Sequence, residues 1–194
     1  MEITMPVELY TDGSSLRNPG PSGLGYIIRY WVPGEDPDVP VVKEIEGNQG
    51  FRLSTNNRME IMGGIYGLNK IIEKIKDGTI KTNQINLQSD SKYFCNAVNQ
   101  GWITKWQNNN WMTSAFKGKQ PGPVKNKDLW EKVLDIQKEL QSMSILLTLT
   151  YIEGHAGHEF NERTDRLAVA ASTSNDNQLI DEEYERTVSS YNKN

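Results

Sequence analysis

A mixed α/β domain is predicted by a change of hydrophobic period along the chain. β-type runs occupy the first quarter, a long helical period follows, and β-type alternation then resumes twice. Val7, Leu9 and Thr11 alternate with Glu8 and Tyr10. Ile61, Ile65, Leu68, Ile72 and Ile75 recur at spacings of four and three, which places them on one face of a helix. Ile85 to Asp90 alternates again.

In chain order, the first strand is expected over Val7 to Thr11, delivering Asp12 where the strand gives way to a glycine turn. Gly13 and Gly20 there would let main chain approach a phosphate or sugar without a Cβ in the way. Leu24 to Val32 is rich in β-formers and reads as the second strand. Pro33 to Pro40 holds three prolines and three acids and reads as an exposed loop, because proline cannot donate to a ladder. Val41 to Ile45 resumes as a third strand, completing an antiparallel meander. The helix that follows is capped by Ser54 or Thr55 and ends near Asp77-Gly78. A helix leading into the strand Ile85 to Asp90 suggests a right-handed crossover to a parallel neighbour.

Helical pieces fill Ser91 to Leu140, broken at Asn108-Asn109-Asn110 and at Gln120-Pro121-Gly122-Pro123. Ser144 to Ile152 is mostly apolar on both sides, the pattern of a central strand. After the turn Glu153 to His158, Asn161 to Ala171 forms a closing helix. From Thr173 the chain turns polar. Its last part, 173–194, reads as a tail that is either a short amphipathic helix around Leu179 to Val188 or disordered.

With 194 residues, the chain suits one globular domain, 1–172, carrying that tail. No apolar run is long enough to span a bilayer, and the N-terminus lacks the basic and apolar regions of a signal peptide, so a soluble cytoplasmic protein is expected. The single cysteine, Cys95, excludes an internal disulfide and a zinc knuckle. The net charge of -4 hides an uneven distribution: Lys92, Lys105, Lys117, Lys119, Lys125, Lys127 and Lys132 stand against only Asp128 and Glu131 in that stretch. Trp102, Trp106, Trp111 and Trp130 are interleaved with these lysines, and Trp130 is expected in the core.

Four carboxylates carry the chemistry. Asp12 and Asp90 follow strands, Glu60 lies in the first turns of the long helix, and Asp165 lies early in the last one. Strand ends and helix starts converge on one edge of such a sheet, where sites form. Carboxylates gathered there repel unless cations sit between them. Oxygen-only ligands favour Mg²⁺ or Mn²⁺ over zinc, and two such ions about 3.5–4 Å apart can flank a phosphodiester for in-line attack by water.

Five segments, in order and spacing, resemble type 1 ribonuclease H. They are Thr11-Asp12-Gly13-Ser14 with Asn18-Pro19-Gly20-Pro21; Ser54-Thr55-Asn56-Asn57-Arg58-Met59-Glu60; Ser89-Asp90-Ser91-Lys92-Tyr93; Pro123 to Trp130; and Gly154 to His158 followed by Asn161 to Asp165. The resemblance runs from about Val7 to Ala171 and implies a five-stranded mixed sheet of order 3-2-1-4-5 with helices on both faces. It implies hydrolysis of the RNA strand of RNA/DNA hybrids, leaving 5′-phosphate and 3′-hydroxyl ends, with two Mg²⁺ ions that Mn²⁺ can replace. Metal ligation falls on Asp12, Glu60, Asp90 and Asp165, with Gly13 beside them. The mobile histidine falls on His155, to help deprotonate water or assist product release.

Substrate contacts fall on Asn18, Asn56 and Gln88 for the hybrid and on Thr55 with Arg58 for a DNA-strand phosphate. Trp102, Lys105, Lys117, Lys119, Lys125 and Lys127 correspond to the basic protrusion. The acidic region 33–51 and the tail have no placed counterpart, and a protein partner for the tail is one expectation. Two other classes share this pattern: a non-catalytic hybrid-binding module, and a related metal-dependent DNA nuclease. The protein is expected to be monomeric.

Overall fold

The computed structural model describes residues 5–36, 39–115, 120–154 and 156–191. Its centre is a five-stranded sheet of order β3-β2-β1-β4-β5. Strands β1 (Val7–Ser15), β2 (Gly20–Val32) and β3 (Val41–Ser54) form the antiparallel meander. Helix α1 (Asn56–Lys76) then crosses over to β4 (Gln84–Ser89), which pairs parallel to β1. Next come α2 (Lys92–Asn99), α3 (Trp102–Asn108) and α4 (Lys127–Ser142), followed by β5 (Leu146–Tyr151), parallel to β4. Helices α5 (Glu159–Thr173) and α6 (Glu182–Tyr191) close the chain.

The two faces of the sheet are covered differently. Odd-numbered β1 residues face α1, as Leu9 does against Gly67, while Tyr10 stacks on Phe160 of α5. The main core lies on the α1 side, where Leu9, Leu87, Phe94, Met59, Leu68 and Trp130 are all buried. Trp130 is in the core as expected, and Trp102, Trp106 and Trp111 pack against it from partly buried positions. On the other face α5 packs across β1, β2 and β3. Among the described residues no helix is long and apolar enough to cross a membrane.

Three expectations need correction. Strand β5 is an edge strand, not a central one, and Leu146 on its open side is 59% exposed. The row that Leu146 begins continues with Thr148 and Thr150 and is the open one, while Leu149 of the opposite row is buried. Strand β1 runs on to Ser15, so Asp12 lies within a strand rather than at its end. Strand β3 likewise extends to Ser54, and its acids are paired: Glu44 with Arg29 at 3.1 Å and Arg163 at 2.9 Å, and Glu46 with Arg163.

The tail folds back onto the domain. Leu179 forms a parallel bridge with Phe51, its N–H donating to the Gly50 carbonyl at 2.9 Å and its carbonyl accepting from the Arg52 N–H at 3.0 Å. Arg52 then pairs with Glu185 of α6.

Candidate active site

Three local decisions bring the carboxylates together. The first is register: Thr11 of β1 lies opposite Ser89 of β4, so the next residues, Asp12 and Asp90, are neighbours across parallel strands. The second is a close approach of helix to strand. A Cβ built on Gly13 would lie 2.5 Å from the Glu60 nitrogen and 2.8 Å from Met59, so only glycine lets α1 sit down where Glu60 reaches the strand edge. Gly13 thus serves helix packing, not a turn. The third is the same device on the other face. Gly25 pairs with Asp12, and a Cβ there would meet the Thr164 carbonyl at 2.5 Å, which seats α5 with Asp165 beside Asp12.

The electrostatics follow from this placement. Asp12 is 6% exposed and its carboxyl is pushed up to about 8, by burial first and then by repulsion from Asp90, Asp165 and Glu60, although the Gly13 N–H donates to it at 2.7 Å. Glu60 is also raised, by burial and by Asp90, against a stabilising hydrogen bond from the Ser91 hydroxyl. Its other oxygen accepts from Asn56 Nδ2 at 2.7 Å. Asp90 accepts from Asn161 Nδ2 at 3.3 Å, and a Cβ on Gly154 would lie 2.8 Å from its Oδ2, so the loop before α5 rests against it.

Among the described residues no three acidic, histidine or cysteine side chains are drawn tightly enough to enclose an ion. They are nonetheless close enough to couple: four carboxyl groups at one edge, Asp12 held up to about 8 by burial and by its acidic neighbours, and a buried Asn161 Oδ1 with no hydrogen-bond partner. That donor set, oxygen throughout, fits a hard divalent cation such as Mg²⁺ or Mn²⁺.

The other expected contacts divide. Asn18 Oδ1 accepts from the Asn56 N–H at 3.3 Å, joining the first loop to the helix start. Thr55 caps α1, its hydroxyl accepting from the Arg58 N–H at 3.4 Å. Lys105, Lys125 and Lys127 are exposed, and Lys127 lies over the Trp111 ring at 5.7 Å. Trp102 is half-buried, its indole N–H donating to Gln100 at 3.1 Å. Arg58 and Gln88 are differently employed from the expectation. Arg58 is 3% exposed, with its guanidinium turned into the protein toward Asp128 and Asp181, because carboxylates from two later segments reach it there. Gln88 donates to Glu8 Oε2 at 2.7 Å in a polar ladder along the sheet. His155, Lys117 and Lys119 lie outside the described residues.

Two residues escaped the sequence reading. Ser91 both caps α2, accepting from the Phe94 N–H at 3.2 Å, and donates to Glu60. Asn161 holds Asp90. The first had a local signal, a serine ahead of a helix; the second had none.

A sheet of order β3-β2-β1-β4-β5 with acidic side chains meeting at the β1–β4 edge defines a fold of the ribonuclease H class. The comparisons agree with it. A sequence model of the RNase H family matches residues 4–173. Ribonuclease HI of Synechocystis is 40% identical over 176 residues, covering 91% of this chain and 92% of that protein. Ribonuclease H of Rippkaea orientalis is 40% identical over 179 residues, covering 92% of each. The chain belongs to the RNase H family, a family of hydrolases.

Among solved structures, LC9-RNase H1, a type 1 RNase H with the type 2 active-site motif, superposes with a TM-score of 0.64 at 23% identity, covering 96% of this chain and 82% of that one. LC11-RNase H1, solved in complex with an RNA/DNA hybrid, gives 0.55 at 22%, covering 85% and 95%. These two likenesses concern the fold.

Proposed function

We propose that this protein is a ribonuclease H that cleaves the RNA strand of an RNA/DNA hybrid with divalent cations, leaving 5′-phosphate and 3′-hydroxyl ends. The observation that carries the reading is the gathering of Asp90, Asp165 and Glu60 around Asp12, a carboxyl pushed up to about 8 by its burial first and by these neighbours second, a charge conflict that a cation would relieve. Two Mg²⁺ or Mn²⁺ ions, when bound, would offset this charge, promote ionisation of a water and stabilise the departing 3′ oxygen.

The chain's own residues do the rest. Asp12, Glu60, Asp90 and Asp165 would hold the ions. Asn56 and Ser91 fix the two oxygens of Glu60, and Asn161 fixes Asp90, so the ligands are oriented before substrate arrives. Exposed Lys105, Lys125 and Lys127, with Trp102 one turn before Lys105 on α3, meet backbone phosphates and give affinity without sequence reading. Asn18 and Asn56, adjacent at the site edge, are suited to a ribose 2′-hydroxyl, which is how such a site distinguishes RNA from DNA. The crystallised relative LC11-RNase H1, bound to an RNA/DNA hybrid, supports that choice of substrate.

Incubating the protein with labelled RNA/DNA hybrid, duplex RNA and duplex DNA, with Mg²⁺ and then with EDTA, tests the reading. RNA-strand cleavage confined to the hybrid and abolished by EDTA is expected. Binding without cleavage in Mg²⁺ or Mn²⁺ would leave a non-catalytic hybrid-binding module, and cleavage of duplex DNA would make it a DNA nuclease.

A further inference from the structure

The family match ends at residue 173, yet the most densely hydrogen-bonded ion cluster among the described residues draws one of its members from beyond it. Arg58 uses all of its donors. Nε and Nη2 donate to the Asp181 carboxylate at 2.6 and 2.8 Å, and Nη1 and Nη2 donate to Asp128 at 2.9 and 2.6 Å. Nη1 also reaches Asn126 Oδ1 at 3.4 Å. Burial opposes the charge on Arg58, but the hydrogen bonds it donates to both carboxylates outweigh it and hold the guanidinium further above its ordinary pKa.

Asp181 is 3% exposed and touches more than Arg58. The Ser54 hydroxyl donates to its Oδ2 at 2.5 Å, and the Tyr184 N–H donates to its Oδ1 at 3.4 Å at the start of α6. Ser54 is the last residue of β3 and Arg58 lies in the first turn of α1. Asp181 therefore grips the chain on both sides of Thr55-Asn56-Asn57. From this short arc Asn56 reaches Glu60, which lies half a turn beyond Arg58.

We propose that Asp181 is a positioning residue for the active site: by clamping Ser54 and Arg58, the segment beyond residue 173 sets the first turn of α1 and with it the placement of Asn56 and Glu60. This deepens the ribonuclease reading and rests on it for its catalytic consequence. The structural part stands on the contacts alone. Misplacing a catalytic group by an ångström through a distant substitution can cost about a hundredfold in rate.

The test uses the full chain with Asp181→Asn, which keeps the shape and removes the charge. Two readouts are taken well below the unfolding temperature. One is hydrogen exchange at the Met59 and Glu60 amides without metal. The other is cleavage of hybrid at saturating concentration, beside hybrid affinity in EDTA. Leu140→Ala, in the core at the far end of α4, serves as a control that lowers stability without touching the clamp.

Asp181→Asn should speed exchange at both amides and lower the saturated rate about tenfold or more, with affinity in EDTA within about twofold, while Leu140→Ala keeps its rate. Unchanged protection, or faster exchange with an unchanged rate, overturns the proposal. So does an equal loss of rate in Leu140→Ala, which would make stability the whole effect. Should Asp181→Asn not fold, Ser54→Ala, which removes the hydroxyl at 2.5 Å, is read by the same measurements and decides in the same way. An unsubstituted protein that cleaves nothing would refute the ribonuclease reading, and exchange at Met59 and Glu60 would still decide whether Asp181 sets the turn.

Discussion

Arg58 and Glu60 share one helical turn and belong to two clusters of charge built on opposite plans. Around Arg58, a buried cation meets two carboxylates and an asparagine, with every donor used. Around Glu60, carboxylates face one another, and Asp12 is pushed up to about 8 by its burial and by those neighbours. The first plan is how a protein holds buried charge for structure. The second costs folding free energy and persists where something outside the chain completes it. Two residues along one helix thus separate what the fold needs from what the chemistry needs.

The comparison breaks most visibly on the acidic side. Asp12→Asn or Asp90→Asn should lower hybrid cleavage in Mg²⁺ by about a thousandfold or more while leaving hybrid binding in EDTA largely intact. Wild-type-like turnover in either would remove the metal assignment.

On the compensated side, Asp181→Ala leaves Arg58 with a buried charge only partly paired. Loss of about 3–5 kcal/mol in chemical denaturation is expected, against a much smaller change for truncating the exposed Lys138, whose pair with Asp135 lies at the surface.

The two clusters should also differ in the sign of their effect on stability. Without metal, Asp12 binds its proton more tightly folded, near pH 8, than unfolded, near 3.8. The native state then holds more protons between those values, so its stability falls as pH rises from about 4 to 8. Asp12→Asn should remove that penalty and make the protein more stable than wild type in EDTA at pH 8, by a few kcal/mol. A flat stability profile over this range would show that the carboxylates do not oppose one another.

The smallest effect concerns the exposed lysines, which belong to neither cluster. Lys125→Ala with Lys127→Ala should weaken hybrid binding across sequences and reduce the slope of log affinity against log salt by roughly one per lysine. An unchanged slope would place the phosphate contacts elsewhere.

Much of the scaffold was legible because it is written in local periods. The alternation in β1 and β4 and the isoleucine stripe of α1 describe faces that the structure does bury. The four carboxylates could be picked out because the local periods place each near the boundary of a strand or helix, although Asp12 proves to lie inside β1 and Asp165 about two turns into α5. What stayed hidden depends on distance. Asp181 meets Arg58 across 123 residues, and nothing local distinguishes it from the other acids of the tail. Arg58, expected at a phosphate, is instead enclosed by partners that no nearby residue announces. Gly13 looked like a turn residue because it follows Asp12 at the end of a short alternating run, whereas its reason is the backbone of Met59 and Glu60 arriving from another element. Strand β5 is mostly apolar on both sides and reads as buried on both sides, although it lies at an edge.

The most direct measurement is a calorimetric titration of Mg²⁺ into the protein, followed by cleavage of labelled hybrid, in wild type and in Asp12→Asn. Saturable binding to the wild type, lost in the variant together with cleavage, is the predicted result. Cleavage that continues in EDTA, or in Asp12→Asn at wild-type rate, would contradict an active site made of Asp12, Glu60, Asp90 and Asp165.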